Sequence, residues 1–184
     1  MTVLIVLSGP PGVGKSSAGD ALAAVHPAAR LSIDDVEEAM RASGIAFADT
    51  GVAAYEVVRA AAEQNLAIGQ DVIVDAVNDS APARETWSRA AHATGARLLM
   101  AVLAIADPEL HRARLEGRTR PFSRIPEPEW PAVQALIRQT EPWGPEVLRL
   151  DATRTPADLA TSLLAELDVL TPGAARPAAG RHEA

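Results

Sequence analysis

The hydrophobic residues of the chain form short continuous runs that alternate with longer segments of helical pattern. The first run, Thr2–Leu7, is rich in β-branched residues and lacks polar alternation, which is typical of a strand buried on both faces. The runs that predict strands are Thr2–Leu7, Arg30–Ile33, Asp71–Asp75, Arg97–Ile105 and Val147–Leu150. Strands that alternate with helices favour an α/β fold, with a parallel sheet covered on both faces by right-handed crossovers.

The segments between these runs predict helices, and capping residues mark several of their ends. The predicted helices are Lys15–Val25, Asp34–Ala42, Val52–Ile68, Ser80–Thr94, Asp107–Glu116, Ala132–Thr140 and Pro156–Leu167. Ser80 and Asp107 are expected to cap their helices at the amino end, and Gly95 is expected to end one. Residues 43–51 predict a loop, and the Arg- and Pro-rich residues 118–131 predict an irregular segment.

Composition narrows the class of protein. The chain has 184 residues, 48% hydrophobic and 22% charged, which suits one globular domain over residues 1–170 and a disordered Pro- and Gly-rich tail at 171–184. The absence of cysteine excludes disulfides and thiolate chemistry. No apolar run approaches the roughly 20 residues of a membrane span, so we expect a cytoplasmic protein without a membrane partner. The net charge of −7 disfavours a protein that binds nucleic acid.

The strongest chemical signal is a phosphate-binding loop. Residues Gly9–Ser16 match G-x-x-x-x-G-K-[ST] between a predicted strand and a predicted helix. Glycines let backbone N–H groups turn toward phosphate oxygens, and the helix adds the positive end of its dipole. Lys15, the only lysine of the chain, is suited to the β- and γ-phosphates, and Ser16 to Mg²⁺. We therefore predict ATP and Mg²⁺ as cofactors, with nucleotide contacts from Gly9, Pro10, Pro11, Gly12, Val13, Gly14, Lys15, Ser16 and Ser17.

Missing motifs select among the proteins that carry such a loop. The guanine-reading motif N-K-x-D is impossible because the only lysine is Lys15. Motor-type ATPases usually end a strand in Asp-Glu, whereas this strand ends in Val74-Asp75-Ala76. The pattern that remains is that of a small kinase, which transfers the γ-phosphoryl group to an acceptor rather than to water.

A kinase needs a base, a carboxylate near the metal and mobile cations. Asp34, which we prefer to Asp35, is the candidate base, although both residues also suit the first turn of a helix. Ser16 and Asp75 are the candidate metal residues, and Asp75 could orient metal-bound water or the acceptor. The alternative role of Asp75 is a turn residue at the strand end, with Asn78. The candidate cations are Arg114, Arg118 and Arg120, which could instead form a solvated arginine face. The histidines follow no ligand pattern, and the tryptophans suit packing better than stacking on a ligand.

In these residues the chain resembles a group of small P-loop kinases that includes polynucleotide 5′-hydroxyl kinase, chloramphenicol phosphotransferase and the zeta-toxin kinases. The resemblance covers about residues 1–170 and is carried by Gly9–Ser16, Ser32–Asp35, Val72–Asn78, Arg84, Trp87, Arg114–Arg120 and Leu148–Asp151. It implies a three-layer α/β/α fold with a five-stranded parallel sheet and a small helical lid at about residues 112–131. It also implies nucleotide and metal contacts from Lys15 and Ser16, Asp34 as base, Asp75 at the second acidic position, and Arg114 and Arg118 as lid arginines, with Arg118 also contacting the nucleotide.

The acceptor side departs from the polynucleotide kinases. Those enzymes carry an arginine three residues after the base, where this chain has Glu37. The acidic cluster Asp34, Asp35, Glu37 and Glu38 should repel a polyanion. We therefore predict ATP-dependent transfer to a hydroxyl of a small neutral or cationic molecule, such as a metabolite or an antibiotic. The alternatives are a polynucleotide 5′-hydroxyl kinase and a nucleotide-binding regulatory or toxin-type module, and the sequence does not indicate an oligomeric state.

Overall fold

The strands form one parallel sheet in a computed structural model that describes residues 1–170. The strands are β1 (Val3–Ser8), β2 (Ala28–Ser32), β3 (Asp71–Asp75), β4 (Arg97–Ala104) and β5 (Leu148–Asp151). Their order across the sheet is β2-β3-β1-β4-β5. The predicted five-stranded parallel sheet is confirmed, whereas the predicted tail at 171–184 lies outside the described residues.

Helices cover both faces of the sheet. They are α1 (Lys15–Ala23), α2 (Ile33–Ala42), α3 (Phe47–Ala67), α4 (Ala81–Thr94), α5 (Pro108–Gly117), α6 (Trp130–Gln139) and α7 (Pro156–Leu170). Successive side chains of β1 point to opposite faces of the sheet. Ile5 and Leu7 therefore belong to a core shared with α1 and α7, while Leu4 and Val6 belong to a second core shared with α3 and α4. The two cores lie between three layers: helices, the sheet, and helices again.

The start of α3 differs from the sequence prediction. The helix begins at Phe47, so most of the loop predicted at 43–51 is helical. The Thr50 hydroxyl donates to the Glu37 carboxylate at 2.7 Å and to the Phe47 carbonyl at 3.0 Å. This buried residue ties α3 to α2, and Gly51 is accommodated as an exposed helical residue. A tertiary contact therefore outweighs the low helix propensity of glycine.

The end of α5 decides where the predicted arginines lie. The helix stops at Gly117, and Arg118 has extended dihedral angles of −79° and 148°. Arg114 therefore lies on α5, while Arg118 lies beyond its end. Residues 118–129 form an irregular segment, as predicted, until α6 begins at Trp130. None of the helices in the described part of the chain has the length and apolarity to cross a membrane.

Candidate active site

A cavity of about 840 Å³ lies at the carboxyl ends of the strands, where ligands bind in open α/β sheets. It brings together most of the residues that the sequence predicts for the site, namely Gly12, Val13, Gly14, Lys15, Ser16, Ser17, Asp34, Asp75, Arg114 and Arg118. Gly9 and Pro10 do not line it; they line a second, mainly apolar cavity of about 340 Å³. Pro11 lines neither of these cavities.

The phosphate loop depends on glycine at two tight points. Gly9 has a φ of +135°, and a Cβ there would collide with the carbonyl oxygen of Leu103 in β4. Gly12 has a φ of +88°, and a Cβ would lie 3.0 Å from the Cβ of Leu115 in α5. Only glycine combines these backbone angles with so close an approach. The loop is thus packed against both the sheet and α5.

Lys15 opens α1 and turns its side chain back across the loop. Its Nζ donates to the carbonyl oxygens of Gly9 at 2.8 Å and Pro10 at 3.1 Å. Burial lowers the pKa of Lys15 to about 8, against the opposing charges of Asp75 and Asp34. An ammonium held by neutral carbonyls inside the loop is placed to exchange them for phosphate oxygens.

Asp75, at the end of β3, is a buried carboxylate that bonds to polar residues at the cavity. Its Oδ2 accepts a hydrogen bond of 2.6 Å from the Ser16 hydroxyl, and its Oδ1 lies 3.1 Å from Nη1 of Arg30. Arg30 also pairs with Asp20 at 3.0 Å. Sequence reasoning missed Arg30, although it is the only charged residue of β2. The adjacent hydroxyl and carboxylate oxygens of Ser16 and Asp75 fit Mg²⁺, which binds few protein oxygens and completes its shell with phosphate and water.

The two candidate base residues differ in their partners. Asp34 accepts a hydrogen bond of 2.7 Å from Nη1 of Arg120. Asp35 lines the same cavity and joins no ion pair among the described residues. Burial and then the nearby Asp75 raise the pKa of Asp35. The structure therefore brings both carboxylates to the cavity, with a cation on Asp34.

The predicted arginines separate into two groups. Arg114 donates to the carbonyl oxygens of Ala152 and Thr153, so it braces the loop between β5 and α7. Arg118 donates from Nε to Glu127 at 2.8 Å, and Arg120 also pairs with Glu127. The residues after β5 that line the cavity are Ala152, Thr153, Arg154, Thr155, Pro156 and Leu159, and sequence reasoning assigned none of them to the site.

The sequence assigns no role to His111 and no catalytic role to Asn78, and the structure shows what each of them holds in place. His111 in α5 is buried, and its Nε2 lies 2.8 Å from the carbonyl oxygen of Pro11. A carbonyl can only accept, so Nε2 carries the proton in this bond. Burial lowers the pKa of His111, although the Pro11 bond opposes the shift. Asn78 has a φ of +56° and donates from Nδ2 to the Ser8 hydroxyl at 2.8 Å, which anchors the end of β3 to β1.

The acidic cluster expected to face an acceptor is partly used inside the protein. Glu37 accepts from Thr50, as described above. Glu38 accepts hydrogen bonds from the backbone N–H groups of residues 123–125. Glu37 and Glu38 are therefore bonded within the protein and do not line the cavity, whereas Asp34 and Asp35 do.

A family comparison agrees with this architecture. Residues 4–140 match the model of a family described as AAA domain. The chain belongs to this AAA-domain family. No match was found among curated proteins.

Three solved structures with the same architecture are described as kinases. A sugar kinase from Janibacter sp. HTCC2649 has 17% identity, with 96% of this chain and 100% of that chain covered at a TM-score of 0.70. A gluconokinase from Sinorhizobium meliloti 1021 has 22% identity, coverages of 90% and 91%, and a TM-score of 0.63. The APS kinase of Mycobacterium tuberculosis in complex with AMPPNP and APS has 18% identity, coverages of 91% and 98%, and a TM-score of 0.63. The predicted P-loop kinase fold is thus confirmed, and the narrower subfamily stays a prediction.

Proposed function

We propose that the chain is an ATP-dependent phosphotransferase that moves the γ-phosphoryl group to a hydroxyl of a small molecule. The observation that carries this proposal is the single cavity in which Lys15, the Ser16–Asp75 pair, Asp34 and Arg118 meet. Phosphoryl transfer requires mainly positioning and electrostatic stabilisation, and these residues supply both. The sugar kinase, gluconokinase and APS kinase named above support a small-molecule acceptor.

The phosphate loop is proposed to bind the terminal phosphates of the nucleotide. Lys15 would leave the carbonyls of Gly9 and Pro10 for phosphate oxygens, while the amino end of α1 faces the same anion. Ser16 and Asp75 would hold Mg²⁺, which when bound neutralises charge on the β- and γ-phosphates. Arg118 and Arg120, on a lid formed by the 118–129 segment, would stabilise charge on the transferring group.

Asp34 is proposed as the general base. It would take the proton of the acceptor hydroxyl as that oxygen forms a bond to the γ-phosphorus. The bond between the γ-phosphorus and the β–γ bridging oxygen breaks in the same step, and ADP leaves with the electron pair. Arg120 bonds to one oxygen of Asp34, Oδ2, so the other oxygen, Oδ1, would take the proton of the acceptor.

Asp34 and Asp35 remain the carboxylates that line the cavity beside the proposed acceptor position. Together with the net charge of −7, they favour a neutral or cationic alcohol over a polyanion. The acceptor classes to test first are sugars, sugar acids, amino alcohols and hydroxyl-bearing antibiotics.

A γ-phosphate transfer screen over these acceptors, followed by carboxylate variants, tests the proposal. Asp34→Asn should lower kcat by about 100-fold or more, the usual contribution of a general base. The Kd of MgATP should change less than threefold, because the phosphate loop is intact. Glu85→Gln, an exposed carboxylate on α4, is the matched control and should leave kcat unchanged. A larger loss in Asp35→Asn than in Asp34→Asn would move the base to Asp35. Tight MgATP binding without transfer to any acceptor would refute the proposal.

A further inference from the structure

One carboxylate of α2 holds the backbone of the 118–129 segment. The Glu38 side chain accepts hydrogen bonds from N–H of Ser123 at 2.8 Å, of Arg124 at 2.9 and 3.0 Å, and of Ile125 at 2.9 Å. The Ser123 hydroxyl adds a bond of 3.1 Å. Successive N–H groups that converge on one anion form a concave anion-binding arrangement, and Glu38 fills it.

The segment has little else to fix its backbone. Three of the eight residues at 121–128 are prolines, which leaves five amides, and Glu38 accepts from three of them. Among the described residues, no backbone group of 121–128 pairs with another backbone group outside the regular elements. Because the segment belongs to no helix or strand, the Glu38 carboxylate is its main backbone anchor.

The same helix connects this anchor to the candidate base. Asp34 and Glu38 are four residues apart on α2, so they lie on one face of the helix, one turn apart. Asp34 receives Arg120 at 2.7 Å, and Glu38 receives the backbone three to five residues further along the segment. Arg120 is only 14% exposed, with a second carboxylate partner in Glu127. Arg120 is therefore held by two carboxylates on its side chain, and Glu38 holds the backbone that follows it.

We propose that Glu38 is a positioning residue of the phosphotransfer site: its carboxylate latches the 118–129 segment onto α2 and thereby places Arg120 beside Asp34. The effect on catalysis rests on the proposed function, whereas the latch itself does not. Glu38 acts through Arg120 and does not touch the reacting atoms.

Amide hydrogen exchange tests the latch without any substrate. Glu38→Gln puts a donor NH₂ group against N–H donors, so amides of 121–128 should exchange at least tenfold faster. Exchange in the phosphate loop should stay within twofold of the wild type, and Glu85→Gln should leave both regions unchanged. Glu38→Asp keeps the charge, but its shorter side chain does not reach the N–H groups of 123–125. Amide exchange in Glu38→Asp should therefore be closer to that of Glu38→Gln than to that of the wild type. Unchanged exchange in Glu38→Gln, or full protection in Glu38→Asp, would overturn the latch.

Kinetics tests the positioning role. If Arg120 acts on the transferring phosphoryl group, Glu38→Gln should lower kcat at least tenfold, while the Kd of MgATP changes less than threefold. Arg120→Ala should lower kcat similarly but leave exchange at 121–128 within twofold, because the anchor remains. Fast exchange with normal kcat would overturn the positioning role. If the wild type phosphorylates no acceptor, the proposed function and the positioning role fall together, and exchange alone decides the latch.

Discussion

Replacement of Asn78 is expected to destabilise the protein strongly, because this residue combines a strained backbone with two buried hydrogen bonds. Asn78 is fully buried and has a φ of +56°, in the left-handed region. Its Nδ2 donates to the Ser8 hydroxyl at 2.8 Å, and its Oδ1 accepts from Nε1 of Trp87 at 2.8 Å. Ser8 and Trp87 are themselves fully buried. Neither can turn to water when the amide is removed.

The magnitude follows from these partners. A buried donor left without an acceptor costs about 1–3 kcal/mol, and Asn78→Ala leaves the Trp87 indole N–H in that state. The Ser8 hydroxyl also loses the hydrogen bond from Asn78, but it can rotate, so this loss costs less. An alanine in the left-handed region adds about 1–2 kcal/mol. We expect Asn78→Ala to lower the free energy of unfolding by about 3–5 kcal/mol. Asn78→Gly should lower it by about 1 kcal/mol less, because glycine adopts the backbone without strain.

Urea unfolding followed by far-ultraviolet circular dichroism is the suitable assay, since fluorescence would also report the change around Trp87. The m-value should stay constant, so that the midpoint reports stability alone. Asp79→Ala is the control, because Arg84 and the Glu141 N–H bond to the backbone carbonyl of Asp79, which alanine keeps. Its free energy of unfolding should fall by no more than about 0.5 kcal/mol. A loss below about 1 kcal/mol in Asn78→Ala would refute the hydrogen-bond argument. Equal losses in the alanine and glycine variants would refute the strain argument.

Two further predictions concern the charged core of the site. Burial lowers the pKa of Lys15 to about 8, so the free protein loses this positive charge as the pH rises through 8, and MgATP binding must then restore a proton. Calorimetry should show the Kd of MgATP rising by up to about tenfold per pH unit above pH 8. Lys15→Met should bind MgATP weakly, and its Kd should not show this dependence on pH. A wild-type Kd that stays constant from about pH 7 to 10 would contradict the role of Lys15 in phosphate binding. Arg30→Met leaves the Asp75 carboxylate, 4% exposed, without its guanidinium, which should cost about 3–5 kcal/mol in urea unfolding. Asp75→Asn in the same chain should recover part of that loss, and a cost below about 1 kcal/mol for Arg30→Met would count against the buried pair.

The sheet and the phosphate loop could be predicted because local physics determines both. A strand such as Thr2–Leu7, apolar at every position after the first, is stable only when it is covered on both faces. The predicted strands match the structure to within one or two residues at most ends. Asp107 caps α5 as predicted, accepting from the N–H of Glu109 at 2.9 Å. Ser80 occupies the predicted cap position of α4, but its side chain makes no capping bond.

The parts that could not be predicted depend on contacts between distant segments. Nothing local to Arg30 indicates that its guanidinium reaches Asp75, 45 residues away. Gly51 argues against a helix locally, and only the bond from Thr50 to Glu37 makes the early start of α3 understandable. The roles of Asp34, Asp75 and the arginines as catalytic groups stay predictions, because geometry places them together without testing what they do.

The run from Asp34 to Glu38 shows why charge along a sequence is a poor guide to charge at a site. As a sequence it is a block of four acidic residues around one valine, and it predicts a strongly negative field. The helix divides that block among different neighbours: Asp34 faces Arg120, Glu37 faces Thr50 of α3, and Glu38 faces the backbone of 123–125. Asp35 lines the cavity and joins no ion pair among the described residues, whereas Glu37 and Glu38 do not line it. The charge preference for the acceptor should therefore respond to Asp35 more than to Glu37 or Glu38, although the sequence gives all three the same sign.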